Sequence, residues 1–161
     1  MRISKVVSAK KGEIVVIDEE SGNTIKRKGG TVAWRCNNPG NVKNGPFAKS
    51  MGSVGQDHIG HAVFKSNDHG IQAQFVLLFN EDSPYWNLTL LDAIKRYAPV
   101  GDASNEPTKY QMYITKHTGI PATKKLKNLT HDEKMKMLHY MWIYEGYKEG
   151  TNSTVKSSND K

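Results

Sequence analysis

Apolar and polar positions divide the chain into a short β-patterned start and a longer stretch with helical spacing. Residues from about 13 to 28 predict a β-hairpin: Glu13-Ile14-Val15-Val16-Ile17 is β-branched, and Glu20-Ser21-Gly22-Asn23 supplies turn chemistry before Thr24-Ile25-Lys26. Gly29-Gly30 loosens the chain ahead of Trp34. The stretch from Arg35 to Gly60 is rich in Asn, Gly and Ser and reads mostly as loop. A loop of that length inside a domain is functional or disordered. Trp34, Phe47 and Met51 give it apolar anchors, which favours order and function.

Four helices are predicted after it. Asn67 can cap one over about 68–80, with Ile71, Phe75, Leu78 and Phe79 on one face. Thr89 can cap a second, with Asp92 at the box position and Pro99 ending it. Pro107 stands near the start of a third, which carries Tyr110, Met112, Tyr113 and Ile114 and stops before Gly119. Thr130-His131-Asp132-Glu133 is a capping box for the last helix, which reaches about Tyr147 and buries Met137, Leu138, Met141 and Trp142. After Gly150 the tail is polar and low in complexity, so it is expected to be disordered.

Composition narrows the setting. The 161 residues fit one domain, and no apolar run approaches the roughly 18–20 residues that a membrane span needs. The basic N-terminus has no apolar core of signal-peptide length, so synthesis in the cytoplasm is expected, with delivery by other means. One cysteine, Cys36, allows no internal disulfide. A net charge of +7 favours a polyanionic partner, nucleic acid or the anionic cell wall.

The most informative stretch is Arg35-Cys36-Asn37-Asn38-Pro39-Gly40-Asn41-Val42. Its Asn-Pro-Gly favours a tight turn, and the amides of Asn37, Asn38 and Asn41 can either satisfy loop backbone or face a polar ligand. Three segments follow in order: Gly55-Gln56-Asp57-His58-Ile59-Gly60-His61-Ala62-Val63-Phe64, then Ser66-Asn67-Asp68-His69-Gly70-Ile71-Gln72-Ala73, then Arg96-Tyr97-Ala98-Pro99 with Asn105-Glu106-Pro107-Thr108-Lys109-Tyr110. Together these resemble a family of phage virion-associated and secreted cell-wall proteins with an Asn-Asn-Pro-Gly-Asn signature. Cys36 stands where that family usually has asparagine. The helix end Ile143-Tyr144-Glu145-Gly146-Tyr147 is similar to the family's terminus, and to the catalytic helix of goose-type lysozymes and lytic transglycosylases. The resemblance implies a mainly α (α+β) fold. A lysozyme-like helical domain would span residues 31–150, with a small N-terminal β-hairpin over 1–30 and a disordered tail over 151–161.

The implied chemistry is cleavage of the peptidoglycan glycan strand, by a muramidase or lytic transglycosylase. Such cleavage needs a carboxylic acid held protonated. Glu145, beside Trp142, Tyr144 and Tyr147 in sequence and near a helix C-terminus, is the expected proton donor. Asp57 is the first choice for a second acid and Glu106 the next. Asn37, Asn38, Asn41, Gln56, Tyr97, Glu106 and Tyr110 are the expected substrate contacts. No cofactor or metal is expected. The partners expected are peptidoglycan and an immunity protein or a component of a phage or secretion machine, with action in the cell wall or periplasm of a target bacterium. Nucleic acid and membrane insertion are not expected. Rival readings remain: a wall-binding or virion structural module without catalysis, and a peptidoglycan amidase using Cys36 with His58 or His61. Further rivals are a metal site at Asp57, His58 and His61, and a nucleic-acid binder using Lys124-Lys125-Leu126-Lys127.

Overall fold

The structure is a computed structural model and describes residues 1–98 and 108–155. It divides into two compact units: Met1–Gln74 together with the described residues from Gly146 onward, and Phe75–Glu145.

The first unit is built on strands β1 (Ile3–Lys10), β2 (Glu13–Asp18), β3 (Thr24–Lys28) and β6 (Thr151–Thr154), paired antiparallel in that order. A separate hairpin pairs β4 (Ser53–Gln56) with β5 (Ala62–Phe64). A short helix, α1 (Val32–Arg35), leads into the stretch read as loop, and another, α2 (Pro46–Ser50), interrupts it. Ile3, Ile14, Val16, Cys36 and Val63 form the core, with Val6, Ala9 and Ile25 packed against it.

The fold is therefore α+β, a four-stranded antiparallel sheet and a hairpin followed by a helical region. This corrects the expected lysozyme-like helical domain with a small N-terminal hairpin. Two strands escaped the sequence pattern for physical reasons. In β1 the inward residues Ile3, Val6 and Ala9 recur every third position, because register shifts between Ile3 and Lys5 and between Val6 and Ser8 each add a residue. Such bulges hide the period of two that marks a regular strand. In β6 all four residues are exposed and none is apolar, so nothing in Thr151–Thr154 marks a strand beyond its two threonines. Thr151–Thr154 of the tail expected to be disordered instead supply a sheet edge, whose register joins Ile25 to Thr154 and Lys28 to Thr151, and 156–161 lie outside the described residues.

Two glycines make that edge possible. A Cβ on Gly150 would collide with the backbone of Lys28 and Gly29, and one on Gly30 with the backbone of Lys148–Gly150. The approach is locked by Thr31, whose amide donates to the Lys148 carbonyl at 2.9 Å and whose hydroxyl accepts from the Lys148 amide at 3.1 Å.

Helix α3 (Asn67–Phe79) runs from the first unit into the second, which also holds α4 (Leu90–Tyr97), α5 (Lys109–Thr118) and α6 (His131–Glu145). The capping residues explain the starts. Thr89 accepts from the Asp92 amide, Thr108 and Gln111 form a capping box, and Thr130 and Glu133 form another at 2.9 and 3.1 Å. At α3 the cap is Ser66, which accepts from the His69 amide, and not Asn67. Gly119, left-handed with φ 71°, ends α5, and α6 stops at Glu145 before Gly146. Pro99 and Pro107 lie outside the described residues. Leu78, Leu90, Ile94, Ile114, Leu126, Met137, Leu138 and Met141 form the helical core, each fully buried aliphatic contributing about 1.5–3 kcal/mol. Among the described residues no helix is long and apolar enough to cross a membrane.

Gly150→Ala should destabilise the first unit by about 1–3 kcal/mol through overpacking, whereas exposed Thr151→Ala should change stability by less than about 0.5 kcal/mol. Urea denaturation followed by circular dichroism compares the two. Equal midpoints would show that β6 contributes nothing to the sheet.

Candidate functional site

The asparagine-rich loop is buried. Asn37 sits in left-handed conformation with φ 49°. Its amide nitrogen donates to the carbonyls of Met1 and Phe64, both at 3.1 Å, and its oxygen accepts from the Arg27 guanidinium at 3.1 Å. Asn38 is fully buried, donating to Val42 and Ala62 carbonyls and accepting from the Val42 amide, all at 2.9 Å. Both amides are engaged within the protein, by backbone groups and, at the Asn37 oxygen, by the Arg27 side chain, so where substrate contacts were expected of Asn37 and Asn38 the structure places scaffolding bonds. Asn41 is half-buried, with φ 50°. Helix α3 presses on the same loop at Gly70, where a Cβ would collide with the Asn37 carbonyl and Pro39.

Asp57 closes the β4–β5 turn. One carboxylate oxygen accepts from the amides of Ile59 and His61 at 3.0 and 2.8 Å, and the other pairs with His61 Nδ1 at 2.8 Å. Burial opposes its charge, but the bonds from the His61 ring and from the backbone of His61 and Ile59 outweigh burial and hold the carboxyl below its usual range. It is an ionised clip for its own turn. Gln56 is exposed and accepts from the Asn44 amide at 3.2 Å, and His58 is exposed. Cys36 is buried in the sheet core, and burial pushes its thiol up to about 12. A nucleophilic cysteine needs the opposite shift and access, so the thiol-amidase reading loses its nucleophile. Among the described residues no group of three or more His, Cys, Asp or Glu side chains could hold a metal ion.

The helical unit gathers a different set. Tyr110 of α5 is buried, and its hydroxyl donates to Glu145 Oε1 at 3.4 Å. Burial first, and then the Glu145 carboxylate, push the phenol far above its ordinary value, so it stays a donor. The ring of Tyr144 stacks on Tyr110 with centroids 4.2 Å apart. An open groove of about 560 Å³ lies along α5, lined by Lys109, Met112, Tyr113, Lys116, His117 and Tyr144. Tyr97 packs on Tyr85 at 6.0 Å. Glu106 lies outside the described residues.

Glu145 and Tyr110 thus come together, while Asp57, Gln56 and the asparagines belong to the other unit. The sequence reading missed Tyr113, His117 and Tyr144 as a set. Their signal was the spacing of four between Tyr113 and His117 on α5 and between Tyr140 and Tyr144 on α6. In the basic run Lys124-Lys125-Leu126-Lys127, Leu126 is fully buried and Lys124 is bonded to Glu133 at 2.8 Å, while Lys125 and Lys127 are exposed.

No family model matches the chain, and no curated protein matches it.

Asn38→Ala takes the side-chain partner from the Val42 amide and the Ala62 carbonyl, while the Val42 carbonyl keeps the Ala62 amide, and a loss of about 2 kcal/mol or more is expected in chemical denaturation. Asn38→Asp should fare no better, because a carboxylate cannot donate. Asp57→Asn tests the turn clip. The folded carboxyl is more acidic than the unfolded one, so its stabilisation is complete above the ordinary carboxylate range and is lost as pH falls through the lowered folded value. The variant should be less stable than the parent at neutral pH, with the gap closing on acidification. A gap that does not change with pH would mean that the charge of Asp57 does not hold the turn.

Proposed function

We propose that the chain cleaves the glycan strand of bacterial peptidoglycan, with Glu145 as the proton donor to the leaving glycosidic oxygen. The observation that carries this reading is the pairing of Glu145 with buried Tyr110 beneath the stacked ring of Tyr144, next to the open groove along α5. Glu145 stands in the last turn of α6, where the helix dipole disfavours a negative charge. Flat tyrosine faces suit the apolar faces of sugar rings. The resemblance of the loop and turn segments to phage and secreted cell-wall proteins supports the same substrate.

Asp57 has both oxygens engaged by its own turn, so the oxocarbenium-like transition state draws its second group from elsewhere. Glu106, two residues before the Thr108 cap of α5, is the protein's candidate, and the acetamido group of the sugar is the alternative.

One observation favours a second reading, a wall-binding module without turnover. A hydroxyl that donates to Glu145 stabilises its ionised form, which cannot protonate a leaving group.

Incubation of the full chain with purified sacculi separates the two. Release of soluble muropeptides is expected, with Glu145→Gln reducing it by ~10²- to 10⁴-fold while the protein still pellets with the wall. Mass spectrometry assigns the reaction, since reducing ends mean hydrolysis and anhydro ends mean a transglycosylase. Cys36→Ala should keep full turnover, and Glu106→Gln should match Glu145→Gln only if the second group is that carboxylate. Pelleting without any soluble product would leave the binding module.

A further inference from the structure

We infer that the face of α5 between Lys109 and Lys116 is a subsite for an acidic saccharide, sugar rings lying on Tyr113 and Tyr144 and carboxylates meeting the two lysines. This inference rests on the proposed action at the glycan strand and adds a preference for charge that the reading does not require.

The geometry begins with spacing. Lys109, Met112, Tyr113, Lys116 and His117 stand at i, i+3, i+4, i+7 and i+8, which places them on one side of α5. The opposite face of α5 is the buried one, and beside the groove the large side chains of Met112 and, on α6, Tyr144 stay 56% and 41% exposed. The rings are already ordered by one another. Tyr113 stacks on His117 at 4.0 Å and meets Tyr144 at 5.3 Å, and Tyr144 stacks on Tyr110 at 4.2 Å. Tyr113, His117 and Tyr144 thus form a continuous strip backed by buried Tyr110, which bonds Glu145, and a strip held by its own contacts loses little freedom when a ligand lies on it.

The cations sit at the ends of this strip. Lys109 and Lys116 are seven residues apart, about 10 Å along the helix axis. Both are exposed, and neither forms an ion pair among the described residues. Lys116, in the last turn of α5, also favours the helix dipole. Lys109 stands in the first turn, where a cation opposes the dipole, so helix stability does not explain it. A small inorganic anion has no use for the rings, and a neutral glycan has none for the lysines. A saccharide bearing carboxylates uses both.

A phosphodiester chain with stacking bases fits less well. Residues 75–145 hold nine Lys and Arg against eight Asp and Glu, so the helical unit lacks the excess positive charge on which phosphate-backbone binding depends.

Calorimetric titration of the full chain with four probes tests the assignment: soluble disaccharide-peptides from peptidoglycan, the same fragments with their carboxylates converted to methylamides, neutral chitotetraose, and oligothymidylate. The acidic fragments should bind about tenfold tighter than the methylamides, the scale of two exposed ion pairs. The double variant K109A/K116A should erase that difference while keeping the parent circular dichroism spectrum. Tyr113→Ala should weaken all three saccharides together. Equal affinity for acidic and amidated fragments, or a difference that survives in K109A/K116A, overturns the subsite but leaves glycan cleavage, judged by Glu145→Gln on sacculi, untouched. Oligothymidylate binding tighter than any saccharide reassigns the groove to nucleic acid. Binding of no saccharide, with no product from sacculi, removes both proposals.

Discussion

Irregular backbone can be buried only where every amide and carbonyl finds a partner, and the first unit meets that condition with two asparagine side chains. Asn38 spans its own loop to β5, closing on Val42 and Ala62. Asn37 reaches Met1 and Phe64 and accepts from Arg27, itself almost wholly buried. Arg27 has its guanidinium 4.1 Å from the Trp34 ring and donates to the Arg35 carbonyl and to Asn152 of β6. Carbonyl oxygens and an aromatic face solvate the buried cation here, since desolvation alone lowers its affinity for the proton. The chain start, β3, β5 and β6 all converge on this Arg–Asn pair, so the sheet and the loop stand or fall together.

That convergence separates the informative residues from the reactive ones. The segments with the clearest sequence signal are those that hold the first unit together: the asparagine turn, the Asp57 clip and the close approach at Gly70. Turn amides that look available for a ligand are the residues best suited to replace missing backbone partners. Candidate chemistry instead collects where two helices bring tyrosines side by side.

The helices were legible because their ends are written locally. Thr89, Thr108, Thr130 and Gly119 act within a few residues of themselves, and a one-dimensional pattern can carry that. The strands were legible only in part. The alternation of β2 between buried Ile14 and Val16 and their half-buried neighbours reads directly, whereas the bulges of β1 hide its period and polar β6 owes its pairing to a partner distant in sequence. The stretch read as loop held β4, which pairs with β5 just beyond it across the turn that Asp57 closes. At the candidate site, Glu145 and Tyr110 were legible as residue types near a helix end. The ring strip was not, because it needs Tyr113 on α5 beside Tyr144 on α6, a juxtaposition created only by packing.

The same strip bears on how one carboxyl can serve as an acid while a tyrosine donates to it. Under the proposed reading, a saccharide laid on Tyr113 and Tyr144 covers the ring that stacks on Tyr110, the partner of Glu145 at 3.4 Å. A hydroxyl can turn from donor to acceptor without moving its oxygen, so Tyr110 can serve the acid as well as the anion. The pH dependence of turnover at saturating substrate then reports the acid within the occupied complex.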